Sequence, residues 1–178
     1  MNKTIYKKSL AEAKKLMKLI EDPHGINHAK NIAKNSIIIG RYLNYPDLKF
    51  LCLASYWHDT KKPSGKKAEE LSAQLAKENL LSLGENEKTA QRMYDAIIFH
   101  KWNMKPLTIE GNIIRDADKL DFISISRYKK AKERNDEYIK LIIPLLPKLR
   151  DMFSQEISKK LYDKRIKKFN KKIKTKHI

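Results

Sequence analysis

The stretch Asp47-Leu-Lys-Phe-Leu-Cys-Leu-Ala-Ser-Tyr-Trp-His58-Asp59 decides how this chain reads. Asp47 is the residue type that caps a helix N-terminus, because its carboxylate accepts from the free N–H groups of the first turn. From Asp47 to His58 the run is apolar on most sides, which predicts a helix buried among other helices. Lys61-Lys62-Pro63-Ser64-Gly65 then reads as a loop. The run therefore delivers His58 and Asp59 to a helix end. Neighbouring side chains on a helix point about 100° apart, so mid-helix they diverge. At a helix end both can turn toward one ion.

The flanking sequence extends the helical reading. Residues 3–20 set Ile5, Leu10, Ala13, Leu16, Met17 and Ile20 on one stripe opposite lysines. Asp22-Pro23-His24-Gly25 interrupts them, and a second helix is expected over 26–43 with Ile26, Ala29, Ala33, Ile37 and Gly40 inward. Asn44-Tyr45-Pro46 ends it. Downstream, Ser64 is expected to cap a helix over 66–83 that Gly84 closes. A helix over 86–99 delivers His100, and Met104-Lys105-Pro106 is a turn. A further helix begins near Thr108 and carries Ile113, Ile114, Ala117 and Leu120. The segments 122–134, 136–146 and 148–172 read as helices broken at Pro144 and Pro147. No convincing strand and no repeat interrupts this order, so the fold class is all-α.

Composition agrees. Of 178 residues, 41% are hydrophobic and 34% charged, with only 5 Gly and 6 Pro, which suits a single helical domain over 1–178 rather than a β sandwich. No apolar run approaches the roughly 20 residues that span a bilayer. The start of the chain lacks an apolar signal core, so a cytoplasmic protein without a membrane partner is expected. The lone Cys52 sits in an apolar run, where buried packing is the expected role. The net charge is +18, and residues 159–178 alone contribute +9. The basic C-terminal helix or tail, about 148–178, could hold nucleic acid or attract anionic ligands. Without a base-stacking platform beside it, a solvated terminal helix is the simpler expectation.

Four of the five histidines, His24, His28, His58 and His100, fall in helical or pre-helical contexts, and only His177 stands apart in the tail. An acidic cluster follows at Asp116, Asp118 and Asp121. Neutral imidazoles with carboxylates suit Mn, Fe, Zn or Ni. A His-Asp dipeptide alone is weak, since most are structural.

The order of these pieces resembles the HD superfamily of metal-dependent phosphohydrolases, above all its small stand-alone bacterial members. That pattern is a histidine, a His-Asp pair and a distant aspartate, all on one helical bundle. His28 matches the first, His58-Asp59 the pair, and Asp118 in Ala117-Asp118-Lys119-Leu120 the last. The resemblance covers about residues 22–127. It implies an HD-domain helical bundle with one divalent ion (Mn, Fe, Ni, Zn or Mg) on His28, His58, Asp59 and Asp118. It also implies hydrolysis of a small phosphorylated metabolite, with a nucleotide the expected class, by metal-bound hydroxide. Asp59 would orient the water, and Lys62 would hold phosphate. His100 would touch phosphate, protonate the leaving group or hold a second ion. His24 is expected behind the ligands, Asp121 either there or as a helix cap, and Asp116 is expected to face elsewhere.

Three departures narrow the resemblance. Many members read His-Asp-x-Gly-Lys, and Lys61 replaces that glycine here. Guanosine tetraphosphate hydrolases of the superfamily carry Glu-Asp where this chain has Lys62-Pro63. Only His100 lies between the His-Asp pair and Asp118, where binuclear members supply two histidines, which favours a single metal or a loosely held second one. Trp57 and Trp102 are expected to pack in the core rather than stack a base. The rival readings are a nuclease that uses the basic tail and a non-catalytic helical binding module. The oligomeric state is not legible.

Overall fold

A computed structural model describes residues 1–21, 23–100, 106–133 and 137–174. These residues form nine α-helices with two short 3-10 runs, and no strand occurs among them. Helix α1 (Lys3–Lys18) starts at Asn2, whose side chain accepts from Thr4 N at 2.7 Å. Helix α2 (Ile26–Tyr42) follows a bend at Gly25. A Cβ on Gly25 would lie 2.3 Å from the Ile20 carbonyl oxygen, so only glycine lets the chain turn there. Helix α3 (Leu48–Trp57) is the apolar run, and Asp47 caps it by accepting from Phe50 N at 3.0 Å. Gly40 lets α3 approach α2 closely, because a Cβ there would meet Leu51 Cδ1 at 2.6 Å.

Helices α4 (Ala68–Ser82) and α5 (Glu87–Ile98) form an antiparallel pair joined through Gly84, at φ 86°. Asn86 caps α5, and Thr108 caps α6 (Ile109–Asp121). Then come α7 (Ile125–Glu133), α8 (Glu137–Leu149) and α9 (Glu156–Lys174). Helix α2 packs most extensively on α3 and α6, and this trio forms the centre. Phe50, Leu51, Leu53, Trp57, Ile32, Ile113 and Leu120 are buried there. Trp57 plays the expected core role, and its Nε1 donates to Ser9 Oγ at 3.0 Å, tying α3 to α1. Trp102 and His177 lie outside the described residues.

Several local expectations are corrected. Residues 61–65 are not an irregular loop: a 3-10 run covers Lys62–Lys67. Ser64 caps nothing, because Gly65 breaks the run at φ 65° and α4 starts only at Ala68, without a side-chain cap. Phe122-Ile123-Ser124 forms a turn, so the next helix begins at Ile125. Pro144 and Pro147 lie inside α8 rather than breaking it. Each proline leaves one carbonyl, of Lys140 or Ile143, without its helical donor. Both prolines and both of those residues are exposed, so the interruption falls on the solvent side of the helix. The chain instead reverses at Phe153, in extended conformation. Cys52 is half-buried against the core.

The basic C-terminal segment is docked, not loose, as far as it is described. Asp116 accepts from Ser154 N at 2.9 Å and Gln155 N at 2.8 Å, fixing the start of α9 to α6. Tyr162 and Phe169 are buried, and the Phe169 ring meets Tyr128 edge-on at 5.4 Å. No described helix is long and apolar enough to cross a membrane.

Candidate metal centre

The three central helices bring four separated residues together. His28 lies in the first turn of α2, His58 and Asp59 follow the last turn of α3, and Asp118 lies near the end of α6. His28 Nε2 is 3.2 Å from His58 Nε2, 3.7 Å from Asp59 Oδ2 and 3.4 Å from Asp118 Oδ1. His58 Nε2 is 3.6 Å from Asp59 Oδ2. With bonds of about 2.0–2.2 Å, donors that share one ion stand about 2.8–3.6 Å apart. The distances from His28 Nε2 lie in or close to that range, and His28, His58 and Asp118 offer ligand atoms all within 4.8 Å of one another. The side chains of His28, His58 and Asp59 are buried, whereas that of Asp118 is 25% exposed, which leaves one side open.

The remaining ring nitrogens decide the chemistry of this set. His28 Nδ1 bonds Asp121 Oδ2 at 2.8 Å, and His58 Nδ1 bonds the Ser55 carbonyl at 2.8 Å. A carboxylate and a carbonyl only accept, so both Nδ1 atoms carry the proton. In neutral rings both Nε2 atoms then present lone pairs to each other at 3.2 Å. Such a contact is repulsive unless a cation lies between them. Burial pushes the His58 imidazole down to about 4, against the pull of Asp59 and Asp118, so this ring does not supply the missing proton near neutral pH. The donor set fits a divalent metal.

Burial would raise the carboxyls here, yet each is held below its ordinary value. For Asp59 the neighbouring His58, the His24 hydrogen bond and the Lys62 ammonium outweigh burial. For Asp118 and Asp121 His28 is the leading opponent of burial, with Arg127 contributing. Asp59 Oδ1 is buried and has no hydrogen-bond partner, although Lys62 Nζ stands 3.5 Å away. Burial would lower the Lys62 ammonium, but Asp59, Asp118 and Glu69 raise it.

The open side is a cavity of about 160 Å³ lined by His24, Asp59, Lys62, Glu69, His100, Asp118 and Phe122. His24 approaches from the bend before α2, with Nδ1 3.2 Å from Asp59 Oδ2. It therefore faces the cavity mouth and is not confined behind the cluster. His100 ends α5, is buried, and meets the His58 ring edge-on at 5.2 Å. Its Nδ1 bonds the Ile97 carbonyl. One donor atom each from His58, Asp59 and His100 lie within 4.8 Å of one another. Lys62 is 32% exposed and is also 3.8 Å from Glu69 Oε1, so its charge is partly matched.

Sequence reasoning left the support of His28 open. Asp121 turns out to be its anchor, and Asn31 Nδ2 donates to Asp121 Oδ1 at 2.7 Å while Arg127 Nη1 approaches Oδ2 at 3.3 Å. Asn31 is one turn beyond His28 and Asp121 one turn beyond Asp118, and that shared helical spacing was the available signal. Asp116 faces away, as its i, i+2 offset from Asp118 requires, and caps α9 instead.

No family model matches the chain, and no curated protein matches it in sequence. Solved structures do. A predicted HD superfamily hydrolase from an uncultured Thermotogales bacterium aligns at TM-score 0.75 and 22% identity, over 95% of this chain and 89% of that one. Bacillus subtilis YpgQ, in complex with ADP, aligns at 0.71 and 23% identity over 96% and 94%. An HD-superfamily hydrolase from Bacillus thuringiensis aligns at 0.71 and 19% identity over 96% and 93%. Such likenesses establish fold. With its own helix order and central His/Asp cluster, the chain has the helical fold of the HD superfamily.

Proposed function

We propose that the protein is a metal-dependent phosphohydrolase acting on a small phosphorylated metabolite, with a nucleotide as the substrate class. One observation carries this reading: two buried imidazole lone pairs and two carboxylates converge at ligand spacing on a cavity edged by an ammonium. His28 and His58 would bind one divalent ion through Nε2, and Asp59 and Asp118 through one oxygen each. When bound, the ion would polarise a phosphoryl oxygen and lower the pKa of a water.

The chain's own groups divide the remaining tasks. Asp121 and the Ser55 carbonyl hold the two rings in the tautomer that presents Nε2. Asp59 Oδ1, left without a hydrogen-bond partner, accepts from the attacking water and orients it. Lys62 sits where a phosphate oxygen would need a counter-charge. His100 and His24 border the same space, and His100 is the candidate to protonate the leaving group. The complex of YpgQ with ADP supports a nucleotide. A nuclease would need a platform for bases, and the described aromatic residues of α9, Tyr162 and Phe169, are buried.

A screen of nucleoside mono-, di- and triphosphates, sugar phosphates and single-stranded nucleic acid, each with Mn, Fe, Ni, Zn or Mg, tests the reading. Release of phosphate or pyrophosphate from a small substrate, absent in Asp59→Ala, is expected. Turnover confined to nucleic acid, and falling steeply with salt, would favour the nuclease. Equal turnover by Asp59→Ala would remove the mechanism.

A further inference from the structure

We propose a second anion site, for a phosphorylated small molecule, on the side of the histidine cluster away from the reaction cavity. It lies between α2, the turn from α6 to α7, and α9. A cavity of about 370 Å³ opens there, lined among others by Asn31, Lys34, Asn35, Ser124, Arg165 and Lys168. It shares no lining residue with the cavity of Asp59 and Lys62.

The charge balance identifies the ligand. Lys34 and Lys168 are exposed and have no ion-pair partner among the described residues. Arg165 is half-buried, and its one described hydrogen bond runs from Nη1 to Asn35 Oδ1 at 2.9 Å. Asn35 in turn donates to the Ala117 carbonyl at 3.1 Å, so the guanidinium is anchored while the rest of its fork has no acceptor among the described residues. Asp121 is the single acid in the lining. It is buried and already accepts from His28, Asn31 and Arg127, so although its charge acts on Arg165 it leaves the two lysines unanswered. A guanidinium fork flanked by two ammonium groups matches the oxygens of a phosphate. The Ser124 and Ser126 hydroxyls, 2.8 Å apart, add donors on the same wall.

Shape and lining set the class. The volume falls in the range of small-molecule sites, about 300–1,000 Å³. Leu120, Ile123 and Ile125 supply apolar wall, and no aromatic side chain lines the space. A nucleic acid strand held without sequence preference uses aromatic stacking platforms along a basic groove. This cavity offers a pocket for one phosphate and a small body attached to it. It also gives α9 a use beyond packing: Arg165 and Lys168, one turn apart, line the cavity from the most basic part of the chain.

The test uses the full chain, stripped of metal by chelator, with inorganic phosphate and ADP as calorimetric probes at constant ionic strength. The double variant Lys34→Gln/Lys168→Gln alters only exposed side chains, and circular dichroism and thermal melting check its fold. It should bind ADP about tenfold more weakly or worse, as expected for two lost charge-assisted contacts. Arg165→Lys keeps the charge and loses the fork, and should show an intermediate loss. Lys164→Gln/Lys167→Gln removes two exposed charges of α9 outside the cavity and should bind as wild type. Asp59→Asn, at the other cavity, should leave intact the binding event that Lys34→Gln/Lys168→Gln weakens. Equal losses in the two lysine pairs would overturn the proposal in favour of diffuse attraction. So would absence of binding by either probe at millimolar concentration, or loss of binding in Asp59→Asn alone. Tighter capture of a single-stranded oligonucleotide through Lys34 and Lys168 would overturn it as well, by making the cavity part of a strand path.

Discussion

Replacing Asp121 with asparagine should weaken metal binding without touching a proposed ligand. Asp121 is 1% exposed, and its two oxygens serve different donors. Oδ2 takes the His28 Nδ1 proton at 2.8 Å, and Oδ1 takes an Asn31 proton at 2.7 Å. Asparagine keeps the shape but has one accepting end. If its oxygen faces His28, its NH2 meets the NH2 of Asn31, donor against donor. If it flips, its NH2 meets Nδ1–H of His28 and drives that ring to the other tautomer, which removes the Nε2 lone pair. The first arrangement sets two donors against each other, at about 1–3 kcal/mol, and the second withdraws the lone pair that an ion would need. Loss of such a ring-orienting partner costs about 10- to 100-fold in metal affinity. Metal should be titrated into stripped protein against a competing chelator, with urea unfolding of the same samples. The variant should remain folded, bind metal at least about tenfold more weakly, and unfold about 1–3 kcal/mol more easily. Wild-type affinity in a folded Asp121→Asn protein would refute the idea that Asp121 presents His28 to an ion.

Three further outcomes follow from other parts of the structure. Metal-free protein should lose stability as pH falls from about 6.5 to about 4, because the unfolded chain protonates at His58 while the buried native ring, at about 4, does not. The loss should reach about 3 kcal/mol at the lower end, and a flat urea-unfolding profile across that window would contradict it. The depressed carboxyls of Asp59, Asp118 and Asp121 act in a lower window: their contribution is present above ordinary carboxylate values and disappears as pH drops through their native ones. Lys62→Ala should raise KM about tenfold with kcat little changed if the ammonium holds phosphate equally in ground and transition states, and a collapse of kcat alone would assign it to the chemical step. Gly25→Ala should destabilise the fold by about 1–3 kcal/mol in denaturant titration, because its Cβ would sit 2.3 Å from the Ile20 carbonyl oxygen. An unchanged midpoint would show that the bend before α2 yields freely.

What was legible in the sequence follows from what local patterns encode. The apolar run capped by Asp47 and ending at His58 announced α3, since capping and amphipathicity are written in neighbouring residues. The all-α class followed from the same rule along the chain. The gathering of His28, His58, Asp59 and Asp118 came from the order of motifs, because no local pattern reveals that α2, α3 and α6 are neighbours. Helix ends were less legible where tertiary context ruled. Pro144 and Pro147 read as breaks because the cost of proline is judged for a buried ladder, whereas here both prolines lie on the exposed side of α8. Ser64 read as a cap because the positive φ of Gly65 is invisible in sequence. The docking of α9 was missed because lysines dominate its composition, while Tyr162, Phe169 and the Asp116 cap decide its placement. The three cations around the cavity behind Asp121 come from two helices 130 residues apart at their Asn35–Arg165 contact, a separation no spacing rule spans.

The central claim is that His28, His58, Asp59 and Asp118 bind one divalent ion. Anomalous diffraction from crystals of metal-loaded protein, recorded on both sides of the metal's absorption edge, tests it most directly. The account predicts a single strong peak about 2.0–2.2 Å from Nε2 of His28, Nε2 of His58 and one oxygen each of Asp59 and Asp118. A peak elsewhere, or none in folded protein soaked with Mn, Fe, Ni and Zn in turn, would contradict it.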